Sequence, residues 1–276
     1  MSRRTCATHP LQTSEMRDET EVGASKPITV EIGSNGSLGI QLVDTASRIG
    51  QTIDALKDAD PNVFHSNKST VDEPAPTCTG WHLQGRLPES DKTYTQIKRL
   101  FLQDCSKLRT LTWVKNFPNL EKLWIYGSDK IADLEGIQAA KYLSSVTVWP
   151  SFSGKITLKS LSPIGALKGL EEFIYAGGTR DGSLEALNSL QNLKKTFFSN
   201  AYSWQEIARF EAHHPEAAFP WKGGIVPSAN PGLLMCKKCG TAQSMLAGKG
   251  LRLACPACDS AYIEKHLERY TLLLST

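Results

Sequence analysis

One pattern of apolar and polar positions recurs through the middle of the chain: apolar, two variable residues, apolar, one variable residue, apolar. Its copies run from Ile97 to Leu102, Leu120 to Ile125, Leu143 to Val148, Leu170 to Tyr175 and Leu193 to Phe198. The last three positions of each copy alternate with the period of a strand, so alternate side chains face opposite ways. The copies start 23, 23, 27 and 23 residues apart. An earlier, degenerate copy begins at Cys78 and places Trp81 and Leu83 at the strand positions. Between copies the apolar residues step every third position, as in Ile131, Leu134, Ile137 and again in Leu184, Leu187, Leu190. That step predicts tight 3₁₀ turns.

A period in the twenties carrying L-x-x-L-x-L resembles the leucine-rich repeat. The segments "LSPIGALKGLEEF" and "LEALNSLQNLKKTF" are similar to the short bacterial repeats of internalin-like proteins. The resemblance covers roughly residues 78 to 201. It implies an α/β solenoid: an array of repeats with parallel strands on a concave face, capped by helices. It also implies a scaffold or recognition role, without naming a partner. The position after each strand, usually Asn or Cys in such repeats, is here Cys105, Ser128, Ser151, Gly178 and Ala201, which predicts a weak side-chain ladder.

The flanks follow from the same patterning. Residues 1–26 are polar and aperiodic and read as a disordered tail. Residues 27–76 read as an N-terminal cap and linker: "ITVEI" alternates like a strand, and Leu42, Ala46, Ile49, Ile53 and Leu56 share one helical face. The repeats occupy 77–202. Residues 203–230 begin with Ser203 and Glu206, the spacing of a capping box, ahead of Ile207 and Phe210. This segment reads as the C-terminal cap helix and a linker. Residues 231–276 form a last small unit.

That unit carries the clearest chemistry in the chain. Cys236, Cys239, Cys255 and Cys258 make a C-x2-C-x15-C-x2-C arrangement. Two residues between paired cysteines let both sulfurs meet one ion from a single turn, and two such knuckles complete a tetrahedral four-sulfur shell. The arrangement resembles a zinc ribbon, with one structural Zn²⁺, the segments around "TAQSML" and "LRLA" as its hairpin, and a closing helix over 261–274. Thioredoxin-like surroundings for a redox pair are absent, and four thiolates leave no open position for a catalytic zinc. His266 falls outside the ligand spacing and reads as a surface residue.

Strand parity makes a second candidate site. If the leucine-type positions point inward, then Phe101, Trp124, Tyr126, Trp149, Ile174 and Phe197 point outward, with Gln103, Thr147, Ala176, Ser199, His82 and Gln84. Adjacent parallel strands lie about 4.8 Å apart, so these side chains form one apolar stripe. A bare stripe of this size is rare on a monomer. Aromatic residues with polar edges match a protein-binding surface, although another part of the chain folded across them satisfies the same constraint.

Composition narrows the picture modestly. A net charge of +3 in 276 residues signals neither a polyanion-binding chain nor an acidic one. Residues 221–276 hold seven basic and three acidic side chains, so Lys237, Lys238, Lys249 and Arg252 are candidate nucleic-acid contacts in a second reading. No apolar run is long enough to span a bilayer, and the N-terminus lacks the apolar core of a secretory signal. Seven cysteines, an odd number with four clustered, suit metal binding in a reducing compartment and a cytoplasmic location. Cys78 and Cys105 read as buried inert thiols, and His213 with His214 as a solvated helix end. No nucleophile has a local base. The reading is a non-enzymatic protein-binding module.

Overall fold

The computed structural model describes residues 63–66, 73–88, 91–227 and 234–275. The expected tail and the strand and helix over 28–58 lie outside the described residues. Nine short strands come first: β1 (Val63–Ser66), β2 (Gly80–Gln84), β3 (Arg99–Gln103), β4 (Lys122–Tyr126), β5 (Ser145–Trp149), β6 (Thr157–Leu158), β7 (Glu172–Tyr175), β8 (Gly178–Thr179) and β9 (Lys195–Phe198). Helix α1 (Trp204–His213) follows, then β10 (Ile225–Pro227), β11 (Ser244–Leu246), β12 (Leu253–Ala254) and helix α2 (Ser260–Leu274).

Seven of the strands form one parallel sheet in the order β1-β2-β3-β4-β5-β7-β9. The register aligns equivalent repeat positions. Leu100 stands beside Leu123, Leu123 beside Val146, and Val146 beside Phe173. This is a leucine-rich-repeat solenoid. β1 is an addition that the repeat pattern does not reveal; it pairs with β2 in parallel and extends the sheet by one strand.

The inward rows build the core. Ile97, Leu100, Leu102, Leu120, Leu123, Ile125, Val146, Val148, Phe173 and Phe198 are all buried in one apolar cluster. The three-residue steps close the far side as 3₁₀ turns at Thr112–Asn116, Ile137–Ala139, Ile164–Ala166 and Glu185–Ser189, burying Val114, Ile137, Ile164 and Leu187. Each fully buried side chain of this size stabilises the fold by about 1.5–3 kcal/mol. An inward position in the last repeat strand is polar: Thr196 is buried, and its hydroxyl donates to the Phe173 carbonyl at 2.7 Å. The hydrogen bond removes most of the cost of burying that hydroxyl.

The 27-residue repeat departs from its neighbours in an orderly way. Its extra length forms a loop over 150–155 and the short strand β6, which pairs with β8 of the next repeat. Tyr175 fastens this detour, its hydroxyl donating to the Gly178 carbonyl at 2.6 Å and accepting from the Leu158 amide at 3.3 Å.

The side-chain ladder is present in part. The Cys105 amide donates to Ser128 Oγ at 3.1 Å, and the Ser151 amide donates to Asp129 Oδ1 at 2.7 Å. Burial pushes the Cys105 thiol up to about 11, so it is an inert group there. Cys78 is different: it is disulfide-bonded, which corrects the reading of it as a thiol.

At the C-terminal end, Ser203 caps α1 by accepting from the Glu206 amide at 3.2 Å. Only half of the expected capping box forms. The Glu206 carboxylate accepts instead from the Leu184 amide (2.8 Å) and the Ser183 hydroxyl (3.1 Å), tying the cap helix to the last repeat. Ile207 and Phe210 are buried in the core, as their spacing predicts. Phe173→Ala should lower stability by about 3–5 kcal/mol, measured by urea unfolding. A loss under about 1 kcal/mol would contradict the single stacked core.

Candidate metal centre and sheet face

The four-cysteine unit is built from two similar turns. In the first, the Gly240 amide donates to the Cys236 carbonyl at 2.9 Å, and the Cys236 amide donates to the Thr241 carbonyl at 2.8 Å. Gly240 has φ +72°, a conformation most side chains resist, so glycine suits the turn. In the second, the Asp259 amide donates to the Cys255 carbonyl at 2.8 Å. The Asp259 carboxylate then accepts from the Cys255 amide at 2.9 Å and from Arg252 at 2.9 Å. The strands between them form the expected hairpin, with Ser244 opposite Ala254 and Met245 opposite Leu253. β10 adds a third antiparallel strand.

These turns bring the four Sγ atoms within 4.8 Å of one another. Cys239 and Cys255 are 3.4 Å apart, and Cys236 and Cys258 are 3.9 Å apart. A tetrahedral ion with metal–sulfur bonds of about 2.3 Å requires sulfurs about 3.8 Å apart, so the set fits a metal ion. The hydroxyl and amide of Thr241 lower the Cys239 thiol to about 6, and the neighbouring Cys239 raises Cys258 to about 12. Sulfurs this close oppose one another's ionisation, and a divalent cation among them would remove that conflict. Cys236 and Cys255 are buried, whereas Cys239 and Cys258 are exposed.

Arg252 is engaged within the ribbon, paired with Asp259 and lying 4.4 Å from the centre of the Tyr262 ring. Lys237, Lys238 and Lys249 are exposed. His266 is buried, against the sequence expectation of a surface residue. Its Nε2 donates to the Gly224 carbonyl at 3.0 Å, a contact 42 positions away that no local pattern signals.

The outward rows run as parity predicts. Phe101 stands beside Trp124, Thr147 beside Ile174, and Ile174 beside Phe197. Trp149, Ile174 and Phe197 form an apolar cluster separate from the core, with Tyr126 and Ala176 packed against it. Phe101 and Trp124 stack with ring centres 4.3 Å apart and planes 4° from parallel. The face is less open than the sequence suggests. Phe101, Trp149, Ile174 and Phe197 keep only 4%, 8%, 8% and 7% exposure, while Trp124 and Tyr126 are half-buried. β1 adds a residue that sequence reasoning missed: His65 shares the row with His82, their Nδ1 atoms 3.2 Å apart. Phe152, on the loop of the longer repeat, is 92% exposed.

No family model and no curated protein matches the chain. Among solved structures it is similar to an internalin from Listeria monocytogenes, at 17% identity and a TM-score of 0.41 over 56% of this chain and 46% of that one. A second Listeria internalin, C2, gives 15% identity and a TM-score of 0.38 over 57% of this chain and 69% of that one. A leucine-rich-repeat protein from Leptospira interrogans gives 12% and 0.32, over 57% of this chain and 47% of that one. The chain thus spans under half the length of the first of these.

Two buried histidines generate a pH dependence, and the burial of His214 corrects the reading of it as part of a solvated helix end. Desolvation holds His214 and His266 below the ordinary value near 6.5, and each neutral ring donates to a carbonyl. Unfolding frees them to take up protons that the native state refuses, so their contribution is complete above about pH 6.5 and is lost as pH falls below it. The melting temperature should drop between pH 7.5 and pH 5.5, and less so in His266→Gln. An equal drop in that variant would contradict the assignment for His266.

Proposed function

We propose that this chain is a non-enzymatic protein-recognition module that binds a partner across the outward face of its sheet, with one structural zinc ion held by Cys236, Cys239, Cys255 and Cys258. The observation that carries the reading is the second apolar cluster beyond the sheet, with Tyr126 half exposed against it and Trp124 half exposed on its stack with Phe101. Stacked repeats present extended surfaces of this kind. Large aromatic side chains at the middle of a patch are the usual anchors of protein interfaces. Phe101, Trp149, Ile174 and Phe197 would hold the exposed pair in place from below and beside.

Zinc is favoured over iron because the spacing and four-thiolate set suit a closed structural site. The role we assign it is to hold together a ribbon whose own apolar cluster is small, centred on Leu246, Ala254 and Ile263. No helix among the described residues is long and apolar enough to cross a membrane. We place the module in the cytoplasm, where thiolates stay available for metal; the Cys78 disulfide is the observation that runs against this placement.

Metal analysis of freshly purified chain should find about one zinc per molecule; substoichiometric metal that added zinc does not restore would contradict the site. With a partner in hand, Trp124→Ala with Tyr126→Ala should weaken binding at least about a hundredfold with little change in melting temperature. Unfolding of this variant would mark the face as internal packing. Salt-sensitive oligonucleotide binding, lost in Lys237→Glu with Lys238→Glu, would favour the nucleic-acid reading instead.

A further inference from the structure

The ribbon does not stand apart from the repeats. Met245, Ala247 and Tyr270 belong to the same apolar cluster as Leu187, Phe198, Tyr202, Phe210 and Trp221. Polar contacts tie the two parts together as well. Asn200, just beyond β9, donates to the Leu246 carbonyl at 3.2 Å and accepts from the Gly248 amide at 2.7 Å. The Lys249 amide donates to the Tyr202 carbonyl at 2.7 Å, and the Ala247 amide to the Gly224 carbonyl at 2.9 Å. The backbones approach so closely that a Cβ on Gly248 would lie 2.8 Å from Trp204 Cβ. From the other side, the Tyr270 hydroxyl donates to the buried Glu211 carboxylate at 2.9 Å, and the Gly223 amide donates to the same oxygen at 2.9 Å.

Each docking segment is covalently close to a knuckle. β11 begins at Ser244, five residues after Cys239, and β12 ends at Ala254, directly before Cys255. Helix α2, which carries Tyr270, begins two residues after Cys258. An ion joining the two knuckles therefore fixes the segments that cover the end of the core. Without it, three short strands and a helix would keep their arrangement only through the small Leu246, Ala254 and Ile263 cluster and their contacts with the repeat end, with nothing joining the two knuckles.

We propose that the ribbon is a metal-dependent clasp on the C-terminal end of the repeat core. In this arrangement, occupancy of the four-sulfur site governs the order of β9 and α1, and through β9 the outward-facing Phe197. The inference rests on the metal-site reading above and extends it from the ribbon to the recognition face. The route is physical and short. Loss of the clasp would take Tyr270 from Glu211 and Met245 from the core. It would also open the packing around Trp221, whose indole N–H donates to the Phe198 carbonyl at 2.8 Å.

The test is hydrogen exchange, read by mass spectrometry on the full chain before and after zinc is stripped by a chelator, with metal content measured in both samples. The clasp predicts that amides of Lys195–Phe198 and Trp204–His213 exchange about tenfold faster or more after stripping, while Arg99–Gln103 and Lys122–Tyr126 are unchanged. Removal of about one equivalent with no change at β9 and α1 would overturn the clasp and leave the metal site standing. Uniform acceleration along the chain would also overturn it, since the effect would then be global. A chain that never holds metal would overturn both readings. Asn200→Ala with Tyr270→Phe keeps all four sulfurs; it should keep its zinc yet show faster exchange at β9 and α1 with the metal bound. Full protection in that variant would also overturn the proposal.

Discussion

A stack of repeats buries its apolar surface only against its neighbours, so its two ends are open by construction. The rest of this structure depends on how those ends are covered. At the C-terminal end, α1 lays Ile207 and Phe210 against the last repeat, and the hairpin and helix of the ribbon add Met245, Ala247 and Tyr270. Glu211 shows how tightly the layers are joined. Its buried carboxylate is satisfied by Tyr270 from the ribbon helix and by Gly223 from the connecting turn. Leaving such a group without its partners would cost about 1–3 kcal/mol or more, so the layers are held in place by polar demands as well as apolar burial.

The second organising constraint is the twofold alternation of strand side chains. It splits neighbouring residues between unlike environments. Leu123 and Ile125 enter the core, whereas Trp124 and Tyr126 face the other way. Trp149 reaches Phe197 from two strands away, at 5.4 Å and from a different repeat position, but the stacking of Phe101 on Trp124 is a consequence of parallel register. Equivalent positions in adjacent repeats stand side by side, so aromatic rings at one repeat position are brought into contact whether or not a partner is present.

Much of this was legible because it is local or periodic. The inward rows, the 3₁₀ turns, the hairpin and the four-sulfur set each follow from spacing over a few residues or from a repeat of about 23. What escaped was set by contacts between distant segments. β1 has too few apolar positions to match the repeat pattern and is held by its neighbour β2, with Trp81 donating to Ser66 Oγ at 2.9 Å. His266 is buried because Gly224 lies opposite it, and Glu206 turns away from its own helix end toward Leu184. Arg252 spends its charge on Asp259, a pairing that a count of basic residues does not register. The depth at which the outward rings sit was equally hidden, since parity gives the direction of a side chain and not its cover.

The claim that closure of the C-terminal end supports the repeat core is tested most directly by thermal unfolding of the chain ended after Gly224, compared with the full chain. The truncated chain lacks Met245, Ala247 and Tyr270 while retaining every repeat and α1. The account predicts a melting temperature lower by about 10 °C, as expected for a loss of several kcal/mol in a domain of this size. An unchanged melting temperature would mean that the repeats close their own end, and would contradict it.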